Sequence, residues 1–444
     1  MLNVTAVRPT GFALEGGAER SELAAYQKVP ASVRWSFMAF AAVLPFEAAN
    51  LAITSSTFSI AKLAALFFFA SYFFYHNPLS GYRPFPPVSA ALRWFLLYLL
   101  VFAAHGLFLE PFYRSQFVTI FLTLAQLLAL FWVSSSLLRL TSLARRVLLA
   151  FAGGAVVCAL GTLAGVPGFA TAIETHAGER VTALDFNPNY LAYTMALAAV
   201  ILIGTALDLK SDRFWTKPAL IAAALPLLAI LVRTGSRTGV AIFAIGFATC
   251  FLPGRRDRSR LGLLLASLFF TGALGYMIVQ DRMMWTRVQE SYAGNLAGRE
   301  RIIPTSLEMI SERPVLGWQP VVFWEELGRR VGLIWRNKDA HNLLFHLLLE
   351  VGIVGTVPFV IATWLCLLGA WRARAGKFGS LPFALLIMTL TANLTHTYLT
   401  RKPQWLILGL AAAFSVAATT RKTETARYVI RRPLVSAGAR PPLQ

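Results

Sequence analysis

The segment DAHNLLFHLLLEVGIVGT, residues 339–356, sets a histidine and an asparagine at the mouth of a long apolar run. A neutral imidazole is suited to take a proton near pH 7, so His341 is a candidate base for making a sugar hydroxyl nucleophilic. Asn342 is a residue type favoured at helix N-caps, and its amide also suits a sugar; the competing reading is that His341 or Asn342 does no more than cap the run. His346 lies five positions on, about 140° around a helix, and is expected to face elsewhere and pack. Gly352 and Gly355, spaced by three, are expected to admit another helix at close range.

Arginines recur in the polar connections that share one end of the apolar runs. They are Arg180 in GERVTALDFNPNYLA, Arg237 in RTGSRTG, Arg299 and Arg301 in GRERIIP, and Arg401 in a short loop. A guanidinium holds its charge in a dehydrated site and grips phosphate oxygens bidentately, which points to a pyrophosphate or another dense anion. The competing reading is that these side chains snorkel or bind lipid headgroups. Asn187 and Asn189, either side of Pro188, fit a helix start, and their amides could instead bind a sugar. Asp185 and Glu300 could orient a base or bind sugar hydroxyls, with solvation or salt bridging the simpler reading.

These residues must be positioned by membrane helices. The chain of 444 residues is 57% hydrophobic and 14% charged, with a mean hydropathy of +0.60, which excludes an ordinary soluble domain. Apolar runs of about 17 to 25 residues recur, each long enough to span a bilayer core as a helix. The expected fold is all-α, with about twelve transmembrane helices and one large periplasmic loop. The boundaries read as a cytoplasmic segment 1–34, nine spans in 35–279, the loop 280–342, three spans in 343–419 and a basic cytoplasmic tail 420–444. No cleavable signal peptide is expected, since the first 34 residues are polar and mixed.

The formal net charge is +20. Most basic residues fall in short loops on one side, so membrane orientation, and not nucleic acid, accounts for them. The 280–342 loop is different: its nine basic and eight acidic residues sit on the opposite side, so topology does not explain its arginines. Within it, Ile302, Leu307 and Ile310 are expected to form a short amphipathic helix lying on the outer membrane face. Cys158, Cys250 and Cys366 each fall in a different apolar run and read as buried small hydrophobes. The sequence carries no DxD, GxxxxGK[ST], HExxH or GxSxG motif, so the expected chemistry uses no metal, cofactor or nucleoside triphosphate.

Four segments together resemble one family. NPNYLA at 187–192, TGSRTG at 234–239, GRERIIPTSLEMISERPVLGW at 298–318 and HNLLFHLLLEVGIVG at 341–355 look like the bacterial O-antigen ligase and polymerase superfamily of integral membrane glycosyltransferases. The resemblance covers roughly residues 180–370; the first five spans match in hydropathy alone. It implies a multi-pass protein of the bacterial inner membrane. A cavity facing the periplasm would take a glycan linked to undecaprenyl pyrophosphate, among membrane lipids. His341 would then activate the acceptor hydroxyl, with Arg180, Arg237 and Arg299, and Arg301 beside it, holding the pyrophosphate, and transfer would be inverting without a metal. Arg401 matches no motif of the family.

Two activities share that donor: ligation of a finished O-antigen to lipid A-core, and polymerisation of repeat units onto a growing glycan. The motifs separate them poorly, because the acceptor decides and the variable first spans shape its site. A lipid-linked glycan transporter would instead place ionisable residues in mid-span, within symmetric halves. A structural scaffold would have no use for a histidine and several arginines gathered on one face.

Overall fold

In the computed structural model, residues 26–27, 29–47, 59–75, 89–175, 178–184, 186–208, 215–252, 260–292, 298–332, 338–374, 376 and 378–414 are described. Asp185, the first 25 residues and the basic tail therefore lie outside the described residues. The helices are α1 Ala31–Val43, α2 Ile60–Tyr75, α3 Ala90–His105, α4 Pro111–Leu137, α5 Thr141–Leu163, α6 Pro188–Asp208, α7 Thr216–Arg233 and α8 Arg237–Thr249. They continue as α9 Arg260–Gln280, α10 Arg282–Tyr292, α11 Arg299–Glu312, α12 Val322–Val331, α13 Leu343–Ala373 and α14 Leu381–Asn393. A last helix, α15, covers 402–414.

The fold is overwhelmingly helical and multi-pass. Among the described residues, six helices are long and apolar enough to cross a membrane: Ala90–Phe108, Pro111–Leu137, Thr141–Leu163, Pro188–Asp208, Thr216–Arg233 and Leu343–Ala373. Shorter apolar helices stand at Ala31–Phe46, Ile60–Tyr75, Arg237–Thr249, Ser267–Gln280 and Leu381–Asn393. One element departs from the all-helical expectation. Between α5 and α6 the chain makes an antiparallel hairpin, β1 Ala170–Thr175 and β2 Gly178–Ala183, with Ala170 opposite Ala183 and Thr175 opposite Gly178.

The helix α6 is apolar all round, as a fully enclosed helix must be, and α5, α7, α8 and α14 surround it. Its Ala192 and Gly239 of α8 are so close that a methyl on the glycine would stand 2.5 Å from the alanine Cβ. A second packing centre is Trp405 of α15, fully buried with Phe95, Phe131 and Phe359 around it at ring separations of 5.1, 6.4 and 6.4 Å. Between helices in hydrocarbon such packing, and not water exclusion, drives association. The buried Asn393 amide donates to the Gln404 side chain at 2.8 Å. A bond of this kind ties membrane helices together by about 0.6 kcal/mol on average. The three cysteines are buried, as the sequence led us to expect.

The helix α13 is interrupted at Gly352, whose φ of 59° is left-handed. The interruption is filled by backbone from residues 314–318. Ile353 and Val354 N–H donate to the carbonyls of Pro314 and Val315 at 2.9 and 3.2 Å, and Leu349 C=O accepts from Trp318 N–H at 2.6 Å. Gly352 therefore makes room for a strand of loop where another helix was expected; only Gly355 fits that expectation, facing Val101 of α3.

The amphipathic helix expected after residue 297 is α11, but its apolar face is turned into protein. Ile302 and Met309 join Phe323, Leu327 and Val331 of α12 and Leu349 of α13 in a separate small core, whereas Leu307 is exposed. Arg330 of α12 bridges Glu312 and Glu326 at 2.5 and 2.6 Å, and Arg313 and Arg330 flank the Trp318 ring. These links clamp α11 and α12 onto the start of α13.

Candidate active site

The starts of α6, α8, α11 and α13 meet the segment after α14. His341 precedes α13 with a φ of 52°, a left-handed conformation that a non-glycine residue adopts only when its surroundings impose it. Asn342 supplies the constraint. Its Oδ1 caps α13 by accepting from Leu344 and Phe345 N–H at 2.9 and 3.2 Å, and its Nδ2 donates to Leu394 C=O at 3.2 Å. The cap role is therefore filled, and it fixes the histidine.

Beside His341 stands Asp339. Its Oδ2 is 3.5 Å from His341 Nδ1, while its Oδ1 accepts from His346 Nδ1 and from the Thr397 hydroxyl, each at 3.0 Å. His346 was expected to face elsewhere, and the structure corrects this. The five-position rotation assumed both histidines on one helix, but His341 lies before α13, so the left-handed bend returns it to the same carboxylate. Burial works against ionisation of Asp339, yet the His346 hydrogen bond and the flanking imidazoles hold its pKa below the usual carboxylate range. Burial lowers the pKa of His341; Asp339 opposes this, and Lys338 and Arg299 add to it. At neutral pH the imidazole is thus an uncharged acceptor for a proton.

Arg299 acts on His341, and with it comes a group of arginines. Arg180 of β2 donates through Nε to Thr234 C=O at 2.8 Å and through Nη2 to Asn189 Oδ1 at 3.1 Å. The same Asn189 oxygen accepts from Ser236 Oγ at 2.9 Å, and Ser236 caps α8, whose first residue is Arg237. Arg237 donates to the Arg287 carbonyl at 3.2 Å, and Arg299 to the Thr395 carbonyl at 3.0 Å. Asn187 Oδ1 accepts from the Asn189 N–H at 2.9 Å, so it shapes the turn that presents Asn189.

The electrostatics reflect the same convergence. Burial, then Arg287 and Arg237, push the Arg180 guanidinium down to about 10, where it is still protonated at neutral pH. Arg287 and Arg299 are lowered by burial first and then by Arg237. A polyanion would offset this mutual repulsion, aided by the positive helix starts at α6 and α8. Arg301 is not in the cluster: two positions beyond Arg299, it falls on the exposed face of α11, as does Glu300. Arg401 lies over the Tyr190 ring at 4.6 Å, beside the pair of Lys402 and Glu47.

Arg287, Asp339 and His396 were not found from the sequence. The His396 ring stands edge-on to His341, centroids 5.7 Å apart, and stacks on Tyr398. Burial, then His341 and Arg299, push His396 down to about 3, so it is neutral. It shares an electrostatic environment with both His341 and Arg180, and so joins the two halves of the site. Among the described residues no His, Cys, Asp and Glu group is arranged to hold a metal ion.

Residues 221–360 match the O-antigen ligase family. The match supports the resemblance to the O-antigen ligase and polymerase superfamily drawn from the four motifs, and with it a multi-pass membrane protein of glycosyltransferase type. No curated protein matches the chain. The ligase-family segment runs from α7 into α13 and holds Arg237, Arg287, Arg299, Asp339, His341 and His346. Arg180, Asn187, Asn189 and His396 come from outside it. The chain's own flanking elements thus complete the site.

Proposed function

We propose that the protein moves a glycan from undecaprenyl pyrophosphate to a sugar hydroxyl of lipid A-core at the periplasmic face of the bacterial inner membrane, with inversion and without a metal. The observation that carries this reading is His341 with Asp339 beside it at 3.5 Å and with Arg299, one of four mutually repelling arginines (Arg180, Arg237, Arg287 and Arg299), near enough to act on its charge.

In the proposed step His341 takes the acceptor hydroxyl proton through Nε2, with the Nδ1 hydrogen turned to Asp339. The acceptor oxygen bonds to the anomeric carbon as the bond from that carbon to the pyrophosphate oxygen breaks. Undecaprenyl pyrophosphate leaves with the electron pair, and the guanidinium cluster stabilises the charge. The apolar groove below the site supports a lipid-linked donor. It measures about 230 Å³ and runs between α13, α14 and α15 from Leu343 and Leu394 down to Trp364 and Leu408. Its upper end is next to Thr395, the partner of Arg299, so the first isoprene units of a lipid carrier could lie in it with the pyrophosphate among the arginines.

The test is an inventory of lipid-linked glycans in cells lacking the gene. Long chains stranded on undecaprenyl pyrophosphate, with bare lipid A-core, are the expected result. Only single repeat units, on either anchor, would assign the protein as a polymerase instead, and an unchanged inventory would reject both.

A further inference from the structure

Beneath Asp339, within α13, lies a polar chain that the proposed step does not use. His346 Nδ1 meets Asp339 Oδ1 at 3.0 Å, and its Nε2 is 3.6 Å from Glu350 Oε1. Tyr98 of α3 donates its hydroxyl to the other Glu350 oxygen at 3.4 Å. The Glu350 side chain is 1% exposed and that of His346 6%. Phe323 closes over the imidazole edge-on at 4.8 Å, with Trp324 behind it at 6.2 Å.

A carboxylate and an imidazole enclosed in this way are expensive, and apolar side chains of similar volume would pack the space as well or better. Their arrangement relative to Asp339 offers a reason for them. Thr397 and His346 occupy Oδ1 of Asp339, which leaves Oδ2 toward His341. A carboxylate with one oxygen held at two points cannot rotate its other oxygen away.

We propose that His346 is a positioning residue, held from behind by Glu350 and Tyr98, that fixes Asp339 so that its second oxygen orients the His341 ring. This rests on the reading of His341 as the base. The groups facing His346 are Asp339 and Glu350, with Tyr98 beyond; those facing His341 are Asp339, Lys338, Arg299 and His396.

Two amide substitutions separate positioning from simple packing. In His346→Asn the amide nitrogen falls where Nδ1 was and can still donate to Asp339, whereas in His346→Gln it falls nearer the Nε2 position and serves Glu350. Carbethoxylation of His341 by diethyl pyrocarbonate, followed across pH by peptide mass spectrometry on the purified full chain, reads the ionisation of that ring without turnover. The Asn variant should keep the parental midpoint and a kcat within about twofold. The Gln variant should lower the midpoint by about half a pH unit, because Asp339 no longer supports the imidazolium. Its kcat should fall about tenfold at unchanged KM, within the range a general base contributes. Equal behaviour of the two variants, whether both parental, both impaired or both aggregated, would overturn the positioning role. If the parent chain transfers no glycan but the midpoints still differ, the proposed function fails and the positioning stands.

Discussion

Arg180 donates its Nε hydrogen to the carbonyl of Thr234, 54 positions later, at 2.8 Å. This bond latches the β-hairpin to the turn between α7 and α8, next to the capped start of α8. The flat guanidinium does this while a second edge reaches Asn189. An ammonium has no fork and cannot hold both partners with the same geometry. Arg180→Lys should therefore weaken donor use by about tenfold, in line with the loss of one hydrogen bond to a charged group. The measurement is KM for a lipid-linked donor in proteoliposomes, and an unchanged KM would remove Arg180 from the anion site.

With His341 as the proposed base, its protonation sets a pH limit. A base must be neutral to act, so the rate is present above its pKa and lost as pH falls through it. Burial and the nearby cations lower that pKa, which puts the acid limb of the rate profile below about 6.5. Asp339 is the one neighbour that raises it, so Asp339→Asn should move the limb to still lower pH while reducing kcat. His341→Ala should retain a folded protein and lose about 10²-fold or more in rate. A limb that stays in place in Asp339→Asn would show that another group controls it.

Arg287 was not expected, yet it lowers the pKa of both Arg180 and Arg299. Arg287→Ala should raise KM for the donor several-fold and flatten the dependence of donor binding on salt, since one cation fewer faces the anion. Flotation of the protein with donor-loaded liposomes at two ionic strengths would measure it, and an unaltered salt dependence would place Arg287 outside the anion site.

The residues legible in the sequence were those that broke a pattern. His341, Arg180, Arg237 and Arg299 stood out as polar groups at the ends of apolar runs, and that is where the fold gathers them. Arg287 sits within α10 among mixed polar and apolar residues, with no local pattern to distinguish it. His346 was misjudged because helical rotation carries no meaning across a left-handed residue, and nothing in DAHN announces that His341 has a φ of 52°. His396 and Tyr398 reach the site through the turn after α14, a tertiary relation invisible to any local window. The six-residue strands of the hairpin were too short to register against so much helix. Residues 343–370 read as a single uninterrupted span because the apolar run continues through the break at Gly352.

Gly352 gives a stability prediction. A methyl group there would stand 2.2 Å from the carbonyl oxygen of Val315 while the backbone kept a φ of 59°. Backbone cannot step aside as a flexible side chain can, and the left-handed conformation adds strain of its own. Gly352→Ala should destabilise the protein by about 3 kcal/mol or more. The loss should be visible as a lower midpoint of thermal unfolding in detergent, and an unchanged midpoint would mean that the 314–318 segment is free to move off.

The interruption at Gly352 also decides what the histidines feel. Just above it Leu349 C=O accepts from Trp318 N–H, and just past it Ile353 and Val354 N–H donate to Pro314 and Val315. The 314–318 segment therefore acts as a splint across the break, coupling the short piece that carries His346 to the longer piece packed along α3 and α14.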